Sequence, residues 1–508
     1  MKKTAIIVML ITIISKGFGF FRDLVLSYFY GATQISDIYL ISTIIPSVIF
    51  AFVVNGIVTS YIPVCNSVME HYGEESTDNF TNNLINFVLI ISFFIIIGVY
   101  IFAQPIVKIF AIGFEGEVLD LATLFTRISV FGILFNGAIY ILGGYLQLKN
   151  NFIASVISGI PLNLVIILSI ICSSYYKNVL FLPVGMVIAT LTQMLFLYWL
   201  VKNKNFKYRV VLKLNDRHLR QIIILSLPVI LGISVNQINI LIDRTIASNI
   251  TTGGISALSY ANRLNMFVHG IFVVSISTVI YPVISKLSSS NNTEGLKKVL
   301  AESVNITSIL LIPTIVGSMI FSTEIIELLF ARGAFSKHAV NITSSALFFY
   351  SIGMIGFGLR EVLSRFFYSM HDTTTPMINA SIGMFINIFL NFILSKYLGI
   401  GGLALATSIA ATLTTLLLFI SLRKKIGPFG MKQISISFLK ILFASLLMGF
   451  FSKMSFNYLT TSLSQNLSLL IAIGVGAVSY FGIIYFMKIE DVDAIVGAIK
   501  KKLGRGAA

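Results

Sequence analysis

Long apolar runs, separated by short clusters of charged, Gly, Asn and Pro residues, fill this chain almost from end to end. Bilayer hydrocarbon is about 30 Å thick, so about 20 apolar residues cross it as a helix. Runs long enough occur about fourteen times, at roughly 4–30, 36–66, 82–112, 120–147, 152–174, 179–201, 220–248, 255–285, 299–322, 340–369, 376–395, 400–422, 434–455 and 466–488. Several exceed thirty residues, which predicts tilt or interfacial extensions. The pattern predicts an all-α polytopic membrane protein with about 14 transmembrane helices.

Composition agrees. Of 508 residues, 56% are hydrophobic and 11% charged, with a mean hydropathy of +0.92. A soluble domain carries about 25% charged residues, and no soluble core could absorb so much apolar sequence. The net charge of +16 therefore does not argue for nucleic acid, because Lys and Arg of membrane proteins gather on cytoplasmic loops. They do so here at Lys202, Lys204, Lys207, Arg209, Lys213, Arg217 and Arg220, then at Arg423, Lys424, Lys425 and Lys432. The tail adds Lys500, Lys501, Lys502 and Arg505, and the start adds Lys2 and Lys3. With fourteen spans these clusters share one side, which places both termini in the cytoplasm. The loop expected at 67–80 runs against the rule, with Glu70, Glu74, Glu75 and Asp78, but acids weigh little in it. The first run resembles a signal peptide only superficially: it is too long, it is broken by Lys16 and Arg22, and no small-residue cleavage site follows it. Cys65 and Cys172 lie in different spans and read as packing residues.

The chain also repeats. Tyr61-Ile62-Pro63-Val64 recurs as Ile280-Tyr281-Pro282-Val283, and Ala189-Thr190-Leu191-Thr192 as Ala411-Thr412-Leu413-Thr414, about 220 residues on. Leu148-Lys149-Asn150 and Met370-His371-Asp372 hold matching places. Each half then has six spans, an even number, so the copies share one orientation, as in transporters built from parallel repeats. The expected organisation is an N-terminal six-helix lobe at 1–201, a basic cytoplasmic linker at 202–219 and a C-terminal six-helix lobe at 220–425. Two extra helices follow at 426–488, then a cytoplasmic tail at 489–508.

Charge inside the spans is where chemistry is sought. A cation at bilayer depth costs about 2.5–3.5 kcal/mol on insertion scales, yet the first span carries both Lys16 and Arg22. Only Asp23 is acidic nearby, so one cation is left over. Other spans carry Asp37, Arg127, Asp243, Arg244, Arg263, Arg360, Glu361 and Arg365. Glu361 and Arg365 stand four apart on one helical face. One reading is a water-filled cavity lined by Lys16, Arg22 and Arg263 that binds phosphate, for which the Arg fork is suited. The other is that each cation ends a helix, snorkels to headgroups or neutralises an acid. Gly17, Gly19, Gly31 and Gly56, with Pro46 and Pro63, read equally as hinges or as close-packing sites. Asp243, Asn387, Asn391 and Thr407 offer oxygens suited to a monovalent cation such as sodium, or simply interhelical hydrogen bonds. No phosphate-binding Gly-Lys-Ser/Thr loop, His-Glu-x-x-His or Gly-x-Ser-x-Gly is present, so catalysis is not expected.

Several stretches resemble one family in order and spacing. They are Ser15-Lys16-Gly17-Phe18-Gly19-Phe20-Phe21-Arg22-Asp23, Tyr30-Gly31-Ala32, Ser36-Asp37, Ser256 to Leu264, Ser275 to Pro282, and Phe367 to Pro376. Together they are similar to the MurJ (MviN) lipid II flippases of the multidrug/oligosaccharidyl-lipid/polysaccharide exporter superfamily, most like the Gram-positive versions. The resemblance implies a flippase, not an enzyme, that moves the lipid-linked peptidoglycan precursor lipid II across the cytoplasmic membrane by alternating access. It also implies membrane lipids and the cell-wall synthesis machinery as partners. It implies substrate contacts at Lys16, Arg22, Asp23, Asp37 and Arg263; Arg244, Arg360, Glu361 and Arg365, from the inventory of charges within the spans, are candidates for supporting charges. Lys16 stands where the family commonly has Arg, Phe50 where it has an essential arginine, and Met266 where it has an acid. A sodium site is implied at Asp243, Asn387, Asn391, the Leu403 carbonyl and Thr407, with Asn391 replacing an acid. Competing readings are a flippase for another undecaprenyl-linked glycan, a multidrug/cation antiporter and a membrane-embedded transferase. An antiporter needs an acidic chamber, whereas the surplus here is basic. A transferase needs long polar loops with catalytic acids.

Overall fold

The structure is a computed structural model that describes residues 2–487. The tail expected at 489–508 lies outside the described residues. All regular structure among the described residues is helical, as the apolar runs predict. Twelve helical stretches are long and apolar enough to cross a membrane. The helices Lys2–Tyr30 and Arg217–Ile250, counted in the sequence as the first and seventh spans, are present but are not among those twelve. The chain divides into two compact units. One is Met1–Ala257 with Phe330–Ala339; the other is Leu258–Leu329 with the residues from Val340 onward.

The first unit contains α1 (Lys2–Tyr30), α2 (Gln34–Val53), α3 (Asn55–Ile101), α4 (Ala103–Phe110), α5 (Gly116–Ser129), α6 (Ile133–Leu148), α7 (Phe152–Ile157), α8 (Gly159–Tyr175), α9 (Phe181–Lys202) and α10 (Arg217–Ile250). The first turn of α11 (Gly254–Ser289) also belongs to it. Its core gathers Tyr61, Cys65, Leu84 and Val88 of α3 with Ile141 and Tyr145 of α6 and Leu197 and Val201 of α9. The polar stretch 67–80, expected as a loop, continues α3 instead; the helix is interrupted only at Gly73, at φ 80° and ψ −178°. Two of the four acids there are engaged: Lys149 pairs with Glu74 at 2.5 Å, and the Tyr145 hydroxyl donates to Asp78 at 2.7 Å. Gly56 is a packing site, since a Cβ there would stand 2.7 Å from the Ser226 carbonyl oxygen of α10.

The linker has a defined path because three buried asparagines of α3 hold it. Asn82 donates to the Lys207 carbonyl at 3.0 Å and accepts from the Arg209 N–H. Asn83 makes the same pair of bonds with Lys213 alone. Asn86 donates to the carbonyls of Arg209 and Val211 and accepts from the Tyr208 hydroxyl. An amide supplies a donor and an acceptor in one plane, which matches an extended backbone. The basic side chains of this segment are left exposed.

The second unit continues α11 and adds α12 (Thr293–Ile320), α13 (Ser322–Phe330), α14 (Lys337–Ser369), α15 (Thr374–Leu398), α16 (Ile400–Ile426), α17 (Met431–Leu459) and α18 (Gln465–Phe486), less the few residues assigned to the first. Its core joins Leu300 and Val304 of α12 to Leu363 and Phe367 of α14 and Leu418 and Leu422 of α16. Thr415 of α16 donates to the Gly356 carbonyl of α14 at 2.7 Å, an approach that a side chain at Gly356 would block. The two helices beyond the repeat, α17 and α18, pack on α12 through Ile441, Ala444, Met448 and Tyr480. Between α17 and α18 lies an apolar hollow of about 550 Å³, lined by Phe451, Met454, Tyr458 and Val475.

The internal repeat reappears in the turns. Left-handed residues fall in pairs about 220 positions apart: Gly31 and Gly253, Asn150 and His371, Lys177 and Gly399, Asn205 and Gly427. After α6 the Asn151 N–H returns to the Leu146 carbonyl, and after α14 the Asp372 N–H returns to the Phe367 carbonyl. Both are helix ends closed by a residue in the left-handed conformation.

The second of these turns yields a pH prediction. Asp372 accepts from the Thr375 N–H and hydroxyl and pairs with Lys425 at 2.6 Å. Burial pushes its carboxyl up, but the Lys425 ammonium and the Thr375 donors outweigh that and hold it at about 2, below the ordinary 3.8. A depressed carboxyl contributes stability that is complete above its unfolded value and is lost as pH falls through the folded one. The gap in unfolding temperature between the wild type and Asp372→Asn should therefore hold steady down to the ordinary carboxylate range and close as pH nears about 2.

Candidate functional site

In α1 the two cations expected to act together have different surroundings. Arg22 directs both Nε (3.0 Å) and Nη2 (2.8 Å) to Oδ1 of Asp23. Asp23 is buried and Arg22 half-buried. A neighbour in sequence thus neutralises Arg22. Lys16 is exposed and makes no ion pair among the described residues. The sequence argument that one cation of this helix is left over therefore falls on Lys16.

Asp37 is buried in the first turn of α2. Its Oδ2 accepts from the Gly253 N–H at 2.8 Å, and its Oδ1 from the Ser256 N–H at 2.7 Å and the Ser256 hydroxyl at 2.6 Å. These donors belong to the start of α11, where helix N–H groups lack partners of their own and the dipole favours an anion. Gly253 sits at φ +80° with the Ala32 carbonyl where a Cβ would be, so the turn rests directly on the α1–α2 corner. Arg244 grips the same turn through Nη1 to the Ile255 carbonyl at 3.0 Å. Ser256 had no role assigned from sequence; the Gly-Gly-Ile-Ser stretch opening a helix was the available signal.

Arg263 lies on an exposed face of α11, in the second unit. Arg360 lies over the Phe357 ring at 5.4 Å. Arg365 donates to Glu361 through Nη2 at 2.6 Å, the pair that their spacing predicts, and covers Tyr281 at 5.7 Å. Phe50 stacks on Tyr140, with centroids 5.9 Å apart, and Met266 is exposed.

Of the residues considered for sodium, Asp243 belongs to the first unit and the others to the second. Those four form one hydrogen-bonded chain: Asn391 donates to Asn387 at 2.9 Å, Asn387 to Thr407 at 3.1 Å, and Thr407 to the Leu403 carbonyl at 2.9 Å. An all-oxygen donor set suits a hard cation. No cluster of three or more His, Cys, Asp or Glu side chains stands ready for a metal among the described residues.

The helical plan is that of a multi-pass membrane protein. An inward-facing multidrug resistance MATE family transporter of the MOP superfamily shares the fold, with a TM-score of 0.69 over 83% of this chain and 98% of that one, at 14% identity. The family is narrower. The profile described as lipid II flippase MurJ matches residues 26–483. A probable lipid II flippase MurJ of Buchnera aphidicola subsp. Baizongia pistaciae is 33% identical over 82% of both chains. A solved lipid II flippase MurJ in an inward closed conformation aligns with a TM-score of 0.81 and 28% identity, covering 95% of this chain and 98% of that one. The chain belongs to the MurJ lipid II flippase family.

Proposed function

We propose that this chain moves lipid II from the inner to the outer leaflet of the cytoplasmic membrane by alternating access, with both termini in the cytoplasm. The family assignment supports the reaction class. The observation that carries the chemistry is Lys16, an exposed cation of α1 with no ion pair among the described residues, on the same helix as an Arg22 that Asp23 neutralises. Such a charge is retained at membrane depth for a ligand or pathway.

The physical problem is a headgroup of pyrophosphate, sugars and peptide. Passing it through hydrocarbon strips its hydration at prohibitive cost. Lys16 and Arg22 of the first unit hold the diphosphate: the guanidinium fork fixes its orientation and the ammonium adds charge. The polyprenyl tail remains apolar throughout, and the hollow between α17 and α18 offers it an apolar bed. A sodium ion would draw its oxygens from Asn387, Asn391, Thr407 and the Leu403 carbonyl, all in the second unit. An anion leaving an inside-negative cell gains about 2.3 kcal/mol per charge per 100 mV, so export runs with the potential.

The test is a bacterial strain whose own flippase is switched off. Expression of this chain should restore cell-wall synthesis and the exposure of lipid II to an external probe. Failure to restore either, with the protein present in the membrane, rejects the assignment.

A further inference from the structure

A hollow of about 470 Å³ opens inside the first unit, walled by α2, α6, α8 and α9. That volume lies within the range of small-molecule sites, about 300–1,000 Å³. No charged side chain lines it; instead Asn136, Gln147 and Gln193 present amides, and Ser47 and Thr190 present hydroxyls. Gln193 donates to Ser158 at 3.2 Å. The side-chain amides of Asn136 and Gln147 have no hydrogen-bond partner among the described residues. Polar groups at membrane depth are retained where they face water or a polar ligand. One wall is aromatic: Tyr140, about half exposed, stacked on buried Phe50 at an interplanar angle of 18°.

The lining selects among ligands. A phosphate needs cations and a cationic drug needs acids, and neither is present. A hydrocarbon tail has no use for three amides. A sugar ring fits on both counts: its hydroxyls donate and accept at once, as an amide does, and its C–H face packs on an aromatic ring. We propose that this hollow is a saccharide site that takes the glycan part of the translocated headgroup. The assignment rests on the reading above of the cargo as a lipid-linked glycan.

The experiment compares two probes on protein in nanodiscs, lipid II and undecaprenyl pyrophosphate, which lacks sugar and peptide. The unaltered protein should prefer lipid II. Asn136→Leu and Gln147→Leu should each cut that preference about tenfold, the size of a lost hydrogen-bonding group or two, with undecaprenyl pyrophosphate affinity unchanged. Gly143→Leu is the steric counterpart. A Cβ there meets nothing closer than Ser155 Cβ at 3.7 Å, so a side chain can extend into the hollow. It should cut the preference in the same way without removing a polar group. An unchanged preference in all three variants, equal loss of both probes, or no preference in the unaltered protein overturns the saccharide site. Lipid II translocation by the unaltered protein in proteoliposomes reads the flippase assignment separately. Translocation with the preference intact in every variant removes the saccharide site alone. Preference lost in the variants without translocation removes the flippase reading alone.

Discussion

Arg22→Ala should abolish the outward exposure of lipid II in cells that depend on this chain, and Arg22→Lys should retain a fraction of it. Two effects combine in the alanine variant. It removes a fork that can hold a diphosphate through paired hydrogen bonds, and it strips Asp23 of the partner 2.8 Å away. Asp23 is buried, with 8% of its side chain exposed, and removing one member of a buried ion pair costs about 3–5 kcal/mol; Arg22 is itself part-exposed, so the lower end applies. The double variant Arg22→Ala/Asp23→Ala separates the effects. If Arg22 serves only to neutralise Asp23, the double variant regains both protein level and export. If Arg22 holds the cargo, stability returns and export does not. Lys16→Ala removes no ion pair, so its effect on export should appear with no loss of stability. Export that survives in both the double variant and Lys16→Ala would sink the diphosphate clamp.

The fold was readable from the chain where local chemistry decides it. Long apolar runs become helices whatever surrounds them, and the repeat announced itself in Tyr61-Ile62-Pro63-Val64 and its copy. Its corners followed too, because Asn150 and His371 both sit in the left-handed turn that closes a helix. Reading failed where a tertiary contact overrides composition. Glu70 to Asp78 look like a loop by charge, yet α3 carries them as helix, with Glu74 and Asp78 bonded to Lys149 and Tyr145 of a neighbouring segment. The asparagines that hold the linker lie more than 120 residues from their partners, too far for any pattern to show. The charged residues were all visible as exceptions within apolar runs. The neutral groups were not, because Asn136 and Gln147 of α6 and Gln193 of α9 acquire meaning only when the two helices bring them to one hollow.

Asp37 supplies the second large effect. The family resemblance makes it a substrate contact. Its geometry shows a carboxylate already accepting three hydrogen bonds from the start of α11 at 2% exposure. Asp37→Ala leaves the Gly253 N–H and the Ser256 N–H without the carboxylate acceptor in a buried place, at about 1–3 kcal/mol for each group that water does not rescue, while the Ser256 hydroxyl keeps the Gly253 carbonyl 3.1 Å away. Asp37→Asn keeps the shape but turns an N–H₂ toward donors, so it should fall between alanine and the wild type. Ser256→Ala removes one bond of the three and should cost about 1 kcal/mol. The order of unfolding temperatures is then wild type, Ser256→Ala, Asp37→Asn, Asp37→Ala, with lipid II export falling in the same order. Lipid II binding by the fraction that stays folded should change little, because no free lone pair of the carboxylate is needed for the cargo. An Asp37→Asn protein that unfolds like the wild type but no longer binds lipid II would return this residue to the substrate.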